Sequence, residues 1–439
     1  MGRQDIYSAS HNLIKLIELL NLTKAMVNTK YNSLVPQGRT AIIVIHGIGD
    51  QNLLETLDNF TRGLVDYFSS KLPFDLSHKI AKRKQINGSI WTESFVRLTS
   101  ENSQADWLID VHEYYWAYQT EEKIQICEVL QWAQKTLHGT FKFYDQHQDI
   151  KVSRRFPFRK LTWLMYFFSL LYPVLRVGAW LALSTLNLLP IGPFFKSAWS
   201  YSKKLVIPSI VGYIGDIAIY TTTDRKSPYY NIRQQILAES QNFLEEISSD
   251  EEAKYDQVII AGHSLGSVIA YDTLNELCIK TSIYLNENKG IFDELPLTKI
   301  QGLVSFGSPL DKIAFFLREK VANSQYVRQR IIEQLTSFRM QPSIVPGKTK
   351  LESFFRNNPV CYQLQHLRWF NYYHRKDPIS GNLDCYENVI NQRLDFDATW
   401  GAKAHGGYWK DTTFFDSIAK NFLYEKPQEI NSVKQEINV

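Results

Sequence analysis

The chain has 439 residues, enough for one large domain with insertions or for two domains. Its 44% hydrophobic and 21% charged content excludes a disordered, collagen-like or disulfide-stapled protein. A net charge of +4, without a concentrated basic stripe, argues against nucleic acid as a partner.

In chain order, residues 10–27 repeat apolar side chains at helical spacing (Leu13, Ile14, Leu16, Ile17, Leu20, Leu22), with Ser10 placed to cap them. Residues 1–35 are therefore expected to form an add-on amphipathic helix ahead of a main domain at 36–425. Residues 426–439 read as a polar tail. The N-terminus carries no signal-peptide pattern, and Ile6 stands where a myristoylation signal needs Ser or Thr. The four cysteines are scattered, with no CxxC pair or metal-ligand spacing. These features together predict a cytoplasmic protein with reduced thiols and no metal.

Thr40–Ile45 is a short run rich in β-branched residues, the texture of a strand covered on both faces. It recurs at Trp107–Trp116, Ile214–Tyr220, Gln257–Ala261, Gly302–Phe306 and Leu367–Tyr373. Helical patterns lie between several of these, such as Ile232, Ile236, Leu237, Phe243, Leu244 and Ile247. Strands alternating with helices predict an α/β fold, a mixed but mostly parallel central sheet flanked by helices.

Residues 161–195 break that rhythm. They are mainly apolar with Arg176 as their only charge, and are bracketed by Arg154, Arg155, Arg159 and Lys160 on one side and Lys196, Lys203 and Lys204 on the other. They are expected inside a helical insertion at about 120–210. Three placements fit: a hairpin in the membrane interface anchored by Trp163 and Trp180, a buried cap over the active site, or a two-span hairpin. The first would put the protein on the inner face of a membrane, as a peripheral or monotopic protein.

The chemistry gathers at Gly262-His263-Ser264-Leu265-Gly266, a G-x-S-x-G that closes one predicted strand and opens a helix. That context lifts a serine above the sheet edge on a tight turn and makes Ser264 the candidate nucleophile. The Leu265 amide, at the helix start, is one candidate oxyanion donor. The turn His46-Gly47-Ile48 after the first strand supplies the other, the Ile48 amide. His46 precedes the nucleophile and is read as a structural histidine.

Of the histidines after Ser264 (His366, His374 and His405), His405 is the candidate base, in a glycine-containing loop late in the chain. Asp377, just past the strand-like Leu367–Tyr373, is the preferred acid; Asp311 is the main alternative and Asp384 a further one.

At HGIGDQ (46–51), GDIAIY (215–220), GHSLGSVIAYDTL (262–274) and FNYYHRKDPIS (370–380) the chain resembles the lipase and esterase branches of the α/β-hydrolase superfamily, with likeness to DDHD-domain phospholipases and related bacterial hydrolases. The resemblance implies the α/β-hydrolase fold, with Ser264 as nucleophile and Asp377 as acid. It matches His405 only in the general style of its loop, and phospholipase activity is implied by kinship alone.

The resulting expectation is a serine hydrolase that cleaves an acyl or lipid-like ester through an acyl-enzyme and needs no cofactor. An acyltransferase or thioesterase would use the same three residues, and a peptidase would differ in turning over amides. A catalytically inactive, membrane-associated binding module is the non-enzymatic alternative.

Overall fold

The structure is a computed structural model that describes residues 35–48, 51–72, 76–82, 94–100, 107–120, 216–217, 219–221, 225–227, 229–287, 296–311, 338–339, 364–384, 386–399 and 401–424. The expected N-terminal helix, the apolar insertion with its 161–195 stretch, and the polar tail lie outside the described residues. Among the described residues no helix is long and apolar enough to cross a membrane.

Among the described residues, eight strands form one mixed, mostly parallel sheet: β1 (Arg39–Ile45), β2 (Leu76–Lys82), β3 (Ser94–Ser100), β4 (Leu108–Tyr114), β5 (Gln257–His263), β6 (Ile300–Phe306), β7 (Arg368–His374) and β8 (Val389–Leu394). Their spatial order is β2-β3-β4-β1-β5-β6-β7-β8. All neighbours are parallel except β2–β3 and β3–β4. From β1, beside the centre, the described chain builds one side of the sheet, then crosses over β1 to build the other. In open sheets of this kind, a crevice at the carboxyl ends of the strands where the order reverses is the usual ligand site.

Strand alternation divides the core in two. Ala41, Ile43 and Ile45 of β1 join one apolar cluster with α2 (Tyr229–Ser248) and α3 (Leu265–Glu287). Ile42 and Val44 join another with α1 (Glu55–Lys71) and α5 (Thr412–Ile418). One helical turn, α4 (Ala402–His405), precedes α5. In α1 the buried Leu57, Phe60, Leu64 and Phe68 recur every three or four residues, so one stripe faces the sheet. Each fully buried side chain of this size stabilises the fold by roughly 1.5–3 kcal/mol.

One expectation is corrected. Ile214–Tyr220 reads as a strand, yet residues 216, 217, 219 and 220 are helical. Ile219 and Tyr220 are fully buried, and the Tyr220 hydroxyl donates to Asp272 on α3 at 2.9 Å. A short apolar run signals burial, and burial alone does not distinguish a strand from a helix.

The start of α1 is unusual. Leu54, its N-cap, has φ 69° and supplies no side-chain cap. The cap comes instead from Glu113, near the end of β4, whose Oε2 accepts from the Leu54 amide at 2.7 Å. Burial pushes the Glu113 carboxyl up to about 7, against the opposing pull of the Leu54, Thr56 and Leu57 amides. A carboxyl raised from 4.5 to about 7 favours the folded state at low pH, and that contribution is lost as pH rises through about 7. Glu113→Gln abolishes this loss. The stability of the variant minus that of the natural protein, measured by urea unfolding, should therefore become more positive as pH rises from 4.5 to about 7.

Candidate active site

The register sets the ends of the central strands side by side, with Ile45 opposite Gly262, His263 opposite Phe306, and Phe306 opposite Tyr372. The turns after β1, β5, β6 and β7 therefore open onto one rim of the sheet.

Ser264 sits in the turn between β5 and α3 with φ 52°, the left-handed region that a serine adopts only under constraint. Its amide donates to the Phe306 carbonyl at 3.0 Å. Its carbonyl accepts from the Ser267 amide at 3.0 Å and the Ser267 hydroxyl at 2.5 Å. The glycines of the motif are required by space. A side-chain carbon at 266 would overlap the Ile45 and His46 carbonyls, and one at 262 would press on the Ser267 backbone. The first amides of a helix have no intrahelical acceptor, so Leu265, first in α3, presents its N–H at the positive end of a 23-residue helix.

The turn after β1 lies against this elbow, as a side-chain carbon at Gly47 would come within 2.7 Å of Ser264 Cβ. His46 holds the turn. Its Nδ1 donates to the Gly47 carbonyl at 2.7 Å, and its Nε2 accepts from the amides of Trp116 at 3.0 Å and Ala117 at 3.3 Å. The Trp116 indole returns a bond to the His46 carbonyl at 3.0 Å, and the two rings stack 4.8 Å apart. Burial lowers His46 to about 4, so it is neutral and fully engaged. His46 is thus structural, as the sequence suggests. Its bond to the Gly47 carbonyl fixes the peptide plane that also carries the Ile48 amide.

Asp377 and His405 meet, with His405 Nδ1 3.0 Å from Asp377 Oδ2. Asp377 follows β7, and its Oδ1 accepts from the Ile379 amide at 2.9 Å. Burial alone would raise this carboxyl. The His405 ring, the Ile379 amide and the Tyr408 hydroxyl outweigh it and bring Asp377 down to about 2. A carboxylate that accepts from Nδ1 leaves Nε2 as the bare nitrogen. His405 Nε2 and Ser264 Oγ are both buried and have no hydrogen-bond partner among the described residues.

The His263 imidazole joins the two halves of the site. Its Nε2 donates to the His405 carbonyl at 3.0 Å, and its ring centroid lies 4.7 Å from that of His405. Its Nδ1 side faces Gly47, which itself abuts Ser264. Burial, reinforced by the neighbouring His405, lowers His263 to about 3, so it serves as a neutral strut.

The other candidates fall elsewhere. Asp311 packs against Gly381, and Asp384 is exposed near Asn391. His366 is bonded to the Ile300 carbonyl, and His374 to the Phe396 carbonyl and the Lys376 amide. Gly49 and Asp50 of the HGIGDQ stretch lie outside the described residues. Sequence reasoning does not find Tyr408, whose buried hydroxyl donates to Asp377 Oδ2 at 2.8 Å. Its position three residues after His405 is a helical spacing, the only signal available.

No family model, curated protein or solved structure matches the chain.

The role of His46 can be measured directly. His46→Phe retains a ring against Trp116 but strands the buried amide of Trp116 and the half-buried amide of Ala117. It should cost about 3 kcal/mol of stability in denaturant unfolding.

Proposed function

We propose that the chain is a serine hydrolase of the α/β-hydrolase fold, with Ser264, His405 and Asp377 as its triad. The observation that carries this reading is the Asp377–His405 pair at 3.0 Å, with the unpartnered His405 Nε2 on the same rim as the left-handed Ser264 turn. Chain order supports it, since serine, acid and histidine follow one another as they do in that fold.

In the proposed reaction His405 Nε2 takes the Ser264 hydroxyl proton as Oγ attacks the ester carbonyl. Asp377, held ionised, stabilises the imidazolium that forms. The carbonyl oxygen becomes an oxyanion, for which the Leu265 amide and the Ile48 amide are the proposed donors. Collapse of the tetrahedral intermediate passes the proton from His405 to the leaving alcohol and leaves an acyl group on Ser264. Water, deprotonated by His405, releases the acid and restores the serine. A tight hydrogen bond between Ser264 and His405 is not required beforehand, because such contacts commonly tighten only when substrate binds.

We propose further that the acyl group is lipid-like. This rests on the sequence alone, on the apolar 161–195 stretch with its basic flanks.

A fluorophosphonate probe should label the protein at Ser264. Labelling is lost in Ser264→Ala and kept in Ser249→Ala, an exposed serine at the opposite end of the sheet. Asp377→Asn should lower kcat by about 10³–10⁴-fold, while Asp311→Asn retains activity. Reversal of that last pair would overturn the acid assignment. Nitrophenyl esters of long-chain acids should be cleaved with higher kcat/KM than the acetate, and equal or lower values would remove the lipid-like acyl group.

A further inference from the structure

Asp377 Oδ2 serves two donors. One is His405 Nδ1 at 3.0 Å, the other the Tyr408 hydroxyl at 2.8 Å. Tyr408 is fully buried, and its ring packs edge-on against Phe306 at 6.0 Å and Phe396 at 5.4 Å. Its oxygen accepts from the His374 amide at 3.1 Å and lies 3.0 Å from Ser380 Oγ. A hydroxyl has one proton, and an ionised carboxylate can only accept, so that proton points at Asp377. Burial, then the adjacent carboxylate, pushes the phenol well above its ordinary value, so the proton stays in place.

Two donors on one oxygen compete for the same charge. Each bond that Tyr408 strengthens leaves less negative charge on Oδ2 to attract a proton on His405. The hydroxyl also fixes the rotation of the carboxylate, because Oδ2 is held from the His405 side and from the Tyr408 side at once.

From this geometry we propose that Tyr408 is a positioning residue that sets the basicity of His405 by sharing Asp377 Oδ2 with it. The catalytic consequence rests on the hydrolase reading above, whereas the coupling itself does not.

The test uses the full chain and two changes of opposite sign. Tyr408→Phe removes only the hydroxyl. The His405 pKa, followed by NMR of its ring protons, should rise by ~0.5 unit or more. Site-specific 3-fluorotyrosine at 408 keeps the shape and makes the phenol a stronger donor, and the same pKa should fall. The acid limb of the kcat/KM profile for a nitrophenyl ester should move in the same two directions, with KM unchanged. A merely structural role would give no shift in the fluorinated protein, and that result, or shifts of one sign in both proteins, overturns the proposal. If the natural protein turns over no ester, the hydrolase reading fails, and the NMR titration still decides the role of Tyr408.

Discussion

Ser264 holds a backbone angle that an L-residue avoids, at φ 52°. A left-handed conformation of this kind costs roughly 1–2 kcal/mol at a single residue, so it persists only where its surroundings over-determine it. Here they do: the Phe306 carbonyl takes its amide, and Ser267 takes its carbonyl twice. Ser267 in turn bonds to Ser308 at 2.7 Å, which ties the elbow to the turn after β6. The strained angle throws the two neighbours of Ser264 in different directions. His263 turns toward His405 at the end of α4, and Leu265 opens the helix. Every relation within the site starts from that bend.

The second requirement is a buried negative charge. Asp377 is almost fully enclosed, and burial by itself would neutralise it. Three donors, from His405, Ile379 and Tyr408, keep it ionised. The bonds from His405 and Tyr408 knit the segment after β7 to the one after β8, with the Gly401 amide on the Lys376 carbonyl at 3.1 Å as a further stitch. The charge and the alignment of the two loops therefore have one cause.

Much of this was legible in the sequence because it is local. The short runs of β1, β4, β5, β6 and β7, rich in β-branched and aromatic residues, announce buried strands, and the strand-motif-helix context of Ser264 announces the elbow. β2, β3 and β8 were not foreseen. They lie on the flanks, where LSHKIAK and VINQRL bury little and carry no strong pattern; Ile80 of β2 is 81% exposed. The run at Ile214–Tyr220 misled because burial has no period in so short a stretch. Asp377 and His405 could be chosen by chain order, but their contact is a product of folding. The roles of Tyr408, His263 and Glu113 are not legible there, since each joins residues far apart in the sequence that only the fold brings into contact.

His46 and Trp116 are each other's support, through a backbone amide, an indole N–H and stacked rings. Neither residue can be exchanged by itself without orphaning groups on the other. The two positions are 70 residues apart in the sequence, so one contact pins the turn after β1 to the end of β4. A substitution at either position is therefore felt in a segment that the sequence places far away, and loosening one end of the pair loosens the other.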